Sequence, residues 1–412
     1  MKKKISFIMV FGIIILCILS YKYAQNDHNK GIQMISDYMV DLREIIEGNM
    51  EGHAILNDNL DDTPICVPEF VYDSLQNSQI GLFHFDQLTD AEKRVYTEIL
   101  WAVTAYVNDV QVSTLNNETV SKCFQCVLND HPEIFYVDGY RYTNYYAGDE
   151  LVKIGISGTY TMTRENAKKY RNRIDACVDQ IMEEVPASAD EYEKTKFLYE
   201  YIITQTEYDA GAENNQNILS VFLNKRSVCQ GYTKAMQYLL KKAGIMSTTI
   251  LGHVKGGNHA WNLVSVNGNW YYLDATWGDS IYYRSISADA CAASIGEVNY
   301  DYLLVTSDFM EMTHIIDNVI APPPCISVED NYYVREGLYF KDIDTENIKS
   351  VFDRSYCEGQ ELVTLKCASP VVYEQMKSYL INEQEVFKYL HNGNDKIAYI
   401  DNTSHNSISF WL

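Results

Sequence analysis

Residues 259–279, "HAWNLVSVNGNWYYLDATWGD", decide the reading of this chain. Asn267-Gly268 between two apolar, alternating runs is the strongest short hairpin signal, a two-residue type I′ turn. If Val266 pairs with Asn269, paired residue numbers sum to 535. His259 then faces Thr276, and Trp261 faces Asp274. Directly opposed residues share a face and side chains alternate, so His259 and Asp274 lie on one face as diagonal neighbours. A one-residue slip would put them on opposite faces. The hairpin therefore predicts an imidazole oriented by a carboxylate.

The stretch before it, "SVCQGYTKAMQYLLKKAGI" (227–245), has helical period. Tyr232, Ala235, Met236, Leu239, Leu240 and Ala243 fall on one stripe. Lys241 and Lys242 suit the negative end, and Gly244 suits the position just past it. Ser227 and Gln230 have the spacing of a capping box, which would place Cys229 at the second helical position. Free N–H groups in a first turn favour a thiolate. Taken alone, Cys229 could equally be a small apolar residue of the buried stripe. With His259 and Asp274 nearby, the three roles of thiol catalysis are filled: nucleophile, base, and a group that holds the base's tautomer.

The two stretches together resemble the transglutaminase-like superfamily, whose pattern is a Cys in a C-x-G-Y helix start, then H-A-W-N, then D-x-T-W. The likeness spans roughly residues 190 to 315. Upstream "NDHPEIFYV" and later "YDYLLVTSD…H" are similar to bacterial, exported members. The resemblance implies a papain-like α+β core, with Cys229 as nucleophile, His259 as base and Asp274 as orienter. It implies thioester chemistry on a protein or peptide carbonyl; the calcium sites of the animal enzymes are not implied, because nothing outside the core resembles them, and neither cofactor nor metal is expected. Trp261 and Trp277, which flank the site residues, are candidates to pack beneath the cleft, to shape it for substrate, or both. The Cys229 N–H is one oxyanion donor. A second is open between Gln205, Tyr208 and others.

The remaining sequence sets the frame. The chain has 412 residues, 33 basic against 56 acidic, for a net charge of -23. Such a surface repels phosphate backbones and excludes nucleic acid as a partner. At the N-terminus, three lysines precede an apolar run from Ile5 to Leu19. This reads as an export signal, either a signal anchor or a cleaved signal peptide, over 1–23. It predicts a chain on the extracellular face of the membrane. Residues 24–65 read as a tether, 66–165 as an N-terminal α+β region, 166–320 as the catalytic core, and 325–412 as a small α+β module set off by "APPPC". The expected fold class is α+β.

Other features carry less. Ten cysteines at irregular spacing allow no disulfide assignment. Cys123-x-x-Cys126 reads as a helix with one buried and one partly exposed thiol. A zinc set of His253, His259, Cys229 and Asp274 gives way to the triad reading. His131 reads as a loop or cap residue. The tyrosines of 136–146 fit a half-buried sheet or a ligand-binding face.

Overall fold

A computed structural model describes residues 64–279, 298–391, 393 and 396–412. The predicted export segment and most of the tether lie outside the described residues. Among those described, no helix is long and apolar enough to cross a membrane. Two compact units form, one ending at Arg173 and one beginning at Ile174.

The first unit sets helices beside a three-stranded antiparallel sheet. Helix α1 spans Glu69–Asn77, α2 Phe83–Gln87, α3 Asp90–Ala105 and α4 Asn117–Asp130. Strands β1 (Val110–Val112), β2 (Val137–Ala147) and β3 (Glu150–Tyr160) stand in the order β1-β3-β2. The Thr89–Glu92 capping box opens α3, as the sequence predicts, and Tyr96, Ile99, Leu100 and Val103 are buried along it. In α4 both Cys123 and Cys126 are buried, so the expectation of one partly exposed thiol is corrected. Burial pushes the Cys123 thiol up to about 12 and the Cys126 thiol higher still. The eight described cysteines are all unbridged.

Helix α5 (Arg164–Glu184) leads into the second unit, where α6 (Glu191–Gln205) follows behind an Asp190–Glu193 capping box. Two short strands, β4 (Glu207–Tyr208) and β5 (Arg226–Ser227), pair in parallel just before helix α7 (Cys229–Lys242). Helix α7 packs on a four-stranded sheet of order β8-β7-β6-β9. Its strands are β6 (Ser247–Val254), β7 (Gly257–Val266), β8 (Asn269–Leu273) and β9 (Ile315–Ile316). Tyr232, Ala235, Met236, Leu239 and Leu240 are all buried on the helix face the sequence predicts. Each large apolar side chain so buried contributes about 1.5–3 kcal/mol. Gly244 ends the helix at φ 77°, where other residues would be strained.

The hairpin register is the predicted one as far as Leu273, but the expected Trp261–Asp274 and His259–Thr276 pairs do not form, because Asp274 caps a helical turn over Ala275–Gly278. Val266 pairs with Asn269 and Asn262 with Leu273. Asn267 and Gly268 both have positive φ, as a type I′ turn requires.

The C-terminal segment keeps a core of its own, built around Ile348, Phe352, Leu365 and Phe410. Its sheet runs β10 (Tyr339–Phe340), β11 (Leu362–Cys367), β13 (Ser407–Trp411), β12 (Tyr399–Asn402). "NYYVREGLYF", read as strand, is instead a helical turn over Tyr332–Arg335 followed by the short β10. The Asn331 side chain accepts from the Tyr333 N–H and starts that turn. A helix over Thr345–Glu358 was not foreseen. The module shares the second unit with the sheet. Asp301 ties them together, accepting from Tyr333 Oη at 2.9 Å and Lys366 Nζ at 3.2 Å, and facing His405 Nδ1 at 2.8 Å.

Candidate active site

Cys229 is the first residue of α7 and half-buried. The predicted Ser227–Gln230 capping box does not form. Val228 is the N-cap, and no side chain caps the helix. The reason is local. Ser227 belongs to β5, opposite Tyr208, and its Oγ lies 2.8 Å from the Asn215 carbonyl and 2.7 Å from Ser220 Oγ. Cys229 is thus at the first helical position, not the second, still within the positive end of the dipole. Neither the Cys229 nor the Gln230 N–H donates to a backbone carbonyl among the described residues. Such free donors are what an oxyanion requires.

The glycine of C-x-G-Y has a steric cause. A Cβ on Gly231 would overlap Ser227 Oγ and crowd the Asn215 carbonyl. The tyrosine anchors the turn, with Tyr232 Oη donating to the Thr206 carbonyl at 2.7 Å and sitting 3.1 Å from Asp279 Oδ2.

Helix and hairpin are joined by side chains one turn on. Thr233 Oγ1 lies 2.8 Å from both the Cys229 and the Ala260 carbonyls. Asn262 Nδ2 donates to the Thr233 carbonyl at 3.0 Å. These bonds fix the strand carrying His259 against the turn carrying Cys229.

His259 Nε2 lies 2.7 Å from Asp274 Oδ2, and both side chains are buried. The hydrogen bond across the hairpin diagonal leaves Nδ1 as the nitrogen open to the thiol. Burial disfavours a charged His259. The Asp274 carboxylate, and after it the Cys229 side chain, outweigh burial and raise the imidazole from 6.5 to about 10. Burial also works against the Asp274 charge, yet His259 and then His314 hold its carboxyl well below the usual range. The other oxygen, Oδ1, accepts from the Thr276 and Trp277 N–H groups at 2.8 and 3.1 Å.

The structure therefore brings Cys229, His259 and Asp274 together. Trp261 is fully buried, its ring 6.0 Å from His259, so it packs beneath the site and offers no surface to substrate. Trp277 is 9% exposed and lies 5.9 Å from the same imidazole. Tyr208 sits beside the nucleophile turn, across from Ser227, and Gln205 ends α6. His253 is separate from the site. It is exposed and pairs with Asp317 at 2.7 Å.

His314 was missed as a site residue. Its Nε2 lies 3.1 Å from Asp274 Oδ2, the oxygen that His259 uses. It stands 40 residues beyond Asp274 in sequence, as the His of the "YDYLLVTSD…H" stretch, which by itself gives no role to that residue. Asp274, His259 and His314 place their ligand atoms within 4.8 Å of one another, a spacing a cation could also use. Hydrogen bonding accounts for all three.

Residues 179–275 match the transglutaminase-like superfamily. The chain carries the α+β core of that class, whose members are often cysteine-dependent acyltransferases or protease-like enzymes. Among curated proteins it is similar to the kyphoscoliosis peptidase of Homo sapiens, 21% identical over 227 residues, which is 49% of this chain and 33% of that protein. The Mus musculus kyphoscoliosis peptidase is 21% identical over 205 residues, 44% of this chain and 30% of that protein. The match thus spans about a third of these relatives' length. A crystal structure of a TGase aligns with 44% of this chain and 52% of its own, at 15% identity and a TM-score of 0.26.

Proposed function

We propose that this chain is a cysteine-dependent acyl-transfer enzyme that forms a thioester with a protein or peptide substrate. One observation carries the reading. A partly exposed cysteine at the start of a helix faces an imidazole whose other nitrogen is held by a buried carboxylate.

The chemistry follows from the roles. Cys229 Sγ attacks the substrate carbonyl carbon. The Cys229 N–H stabilises the oxyanion that develops. The His259 imidazolium gives its proton to the leaving amine, the C–N bond breaks, and the acyl group remains on sulfur. Asp274 keeps the proton of Nε2 pointed at itself, so that the working proton sits on Nδ1. Neutral His259 then takes a proton from water, or from an amine, which attacks the thioester and frees the thiol.

Hydrolysis is the favoured outcome, because water is the default acceptor and no amine-binding feature stands out in the sequence. Protein crosslinking is one alternative, and a catalytically silent binding or scaffold protein on the cell surface, using the same fold, is the other. The lysine-flanked apolar N-terminus supports a location on the extracellular face of the membrane or in the secreted fraction. Incubation with casein and a fluorescent amine separates the outcomes. Peptide fragments support hydrolysis, amine incorporation without fragments supports transfer, and neither with an intact Cys229 overturns the enzyme reading.

A further inference from the structure

Asp274 serves two imidazoles. We infer that His314 is a positioning residue of this site. It shares Asp274 Oδ2 with His259, and so sets where that oxygen lies and how firmly it holds the imidazolium. The inference rests on reading Cys229, His259 and Asp274 as nucleophile, base and orienter.

The geometry gives His314 few alternatives. Its side chain is fully buried. Nδ1 faces the Thr313 hydroxyl at 2.8 Å, which can donate to it and leave Nε2–H for Asp274. The ring is walled by Trp277 at 4.5 Å and Trp261 at 4.9 Å. Behind it, Ile315 and Ile316 join the sheet at β6, where Gly252 pairs with Ile316 on one side and His259 on the other. A Cβ on Gly252 would overlap the Ile315 carbonyl and crowd the Trp261 ring. Gly252 is what lets the His314 segment come this close.

On Asp274, two backbone N–H groups fix Oδ1, but the carboxylate can still twist about its Cβ–Cγ bond. A second donor on Oδ2 stops that twist. It also draws on the charge that His259 feels. Among the described residues, the titratable groups facing His259 are Asp274, Cys229 and His314. Those facing His314 are Asp274, His259 and the Tyr302 phenol. Removing the His314 donor concentrates the Asp274 charge on His259, so the imidazolium keeps its proton to higher pH. A residue that only filled space would alter stability and leave that titration alone.

The test is an NMR titration of the full chain labelled with 15N-histidine, with His259 assigned from the His259→Gln spectrum. In His314→Gln, the amide nitrogen reaches the place of imidazole Nε2. In His314→Asn it stops short, while still facing Thr313. His314→Leu removes both contacts. The expectation is a His259 midpoint unchanged in Gln and raised by about one unit in Asn and Leu. Acylation of Cys229 by p-nitrophenyl acetate should also fall about 10–100-fold in Asn and Leu, the usual scale for a partner that orients a functional side chain. An unmoved midpoint in Asn, or a Gln variant indistinguishable from Asn, overturns the inference. If Leu does not fold, the Gln–Asn comparison decides. Slow labelling of Cys229 in the unmodified protein would sink the catalytic reading instead, and is read separately from the titration.

Discussion

Among the described residues, each compact unit holds a histidine–aspartate cluster whose side chains are almost wholly buried, His84 with Asp130 in the first and His259 with Asp274 in the second. In the first, Asp130 faces His84 Nδ1 at 3.1 Å and accepts from the His84 and Phe85 N–H groups and from Tyr96 Oη. In the second, Asp274 accepts from two backbone N–H groups and faces two imidazoles. By burial and hydrogen-bond count the two carboxylates are alike. The difference lies on the far side of the ring. His84 Nε2 meets Asn129 Nδ2 at 3.3 Å, so both nitrogens are taken up inside the core. His259 turns its free nitrogen to a half-buried thiol at a helix start. A buried His–Asp pair is therefore a structural device by default, and becomes a candidate catalytic one only when a reactive group waits at the other nitrogen.

The sharpest way to break this comparison is to make the same substitution in both clusters. Asp274→Asn should lower the acylation rate on the order of 10⁴-fold, because an amide in place of Oδ2 leaves the imidazole in the wrong tautomer. Asp130→Asn should leave the Cys229 acylation rate unchanged and cost about 1–3 kcal/mol in a denaturant melt. Equal effects on rate would erase the distinction.

The second prediction concerns pH. His259 is raised from 6.5 to about 10 in the folded chain. Its contribution to stability is fully present below about 6.5 and is lost as pH rises through 10. The proton donor for the leaving group disappears over the same upper range, so acyl transfer should decline near pH 10. A decline near 6.5 would mean that Asp274 does not hold the imidazolium.

A third, smaller effect tests the nucleophile turn. Gly231→Ala should destabilise the chain by about 1–3 kcal/mol through overlap with Ser227, and slow Cys229 labelling. Adding Ser227→Ala should restore part of both. The smallest effect belongs to the link between helix and hairpin. Thr233→Val removes a hydroxyl that serves two carbonyls and should cost about 1–2 kcal/mol, with a severalfold slower labelling rate.

The second unit's site was largely legible in the sequence because its geometry is local. Asn267-Gly268 fixes the turn, the turn fixes the register, and the register puts His259 and Asp274 on one face. The stripe from Tyr232 to Leu240 fixed which side of α7 would be buried. What failed depended on tertiary context. Ser227 has the spacing of a cap, but the β4–β5 pair draws its hydroxyl to Asn215. "NYYVREGLYF" has strand composition, but Asn331 starts a helical turn within it. His314 closes the "YDYLLVTSD…H" stretch, but it reaches Asp274 through an edge strand paired far from it in sequence, and nothing local to that stretch assigns it to Asp274. One thiol of Cys123-x-x-Cys126 reads as partly exposed, yet both are buried, because helical period alone does not say how many sides of α4 are covered.

The central claim is that Cys229 is a nucleophile served by His259. It is tested most directly by timed labelling of the intact chain with iodoacetamide at neutral pH, followed by peptide mapping of every cysteine. The account predicts that Cys229 is modified far faster than exposed Cys66 and Cys357, and that His259→Ala brings it down to their rate. Cys229 labelling no faster than those two, or unaffected by His259→Ala, would contradict it.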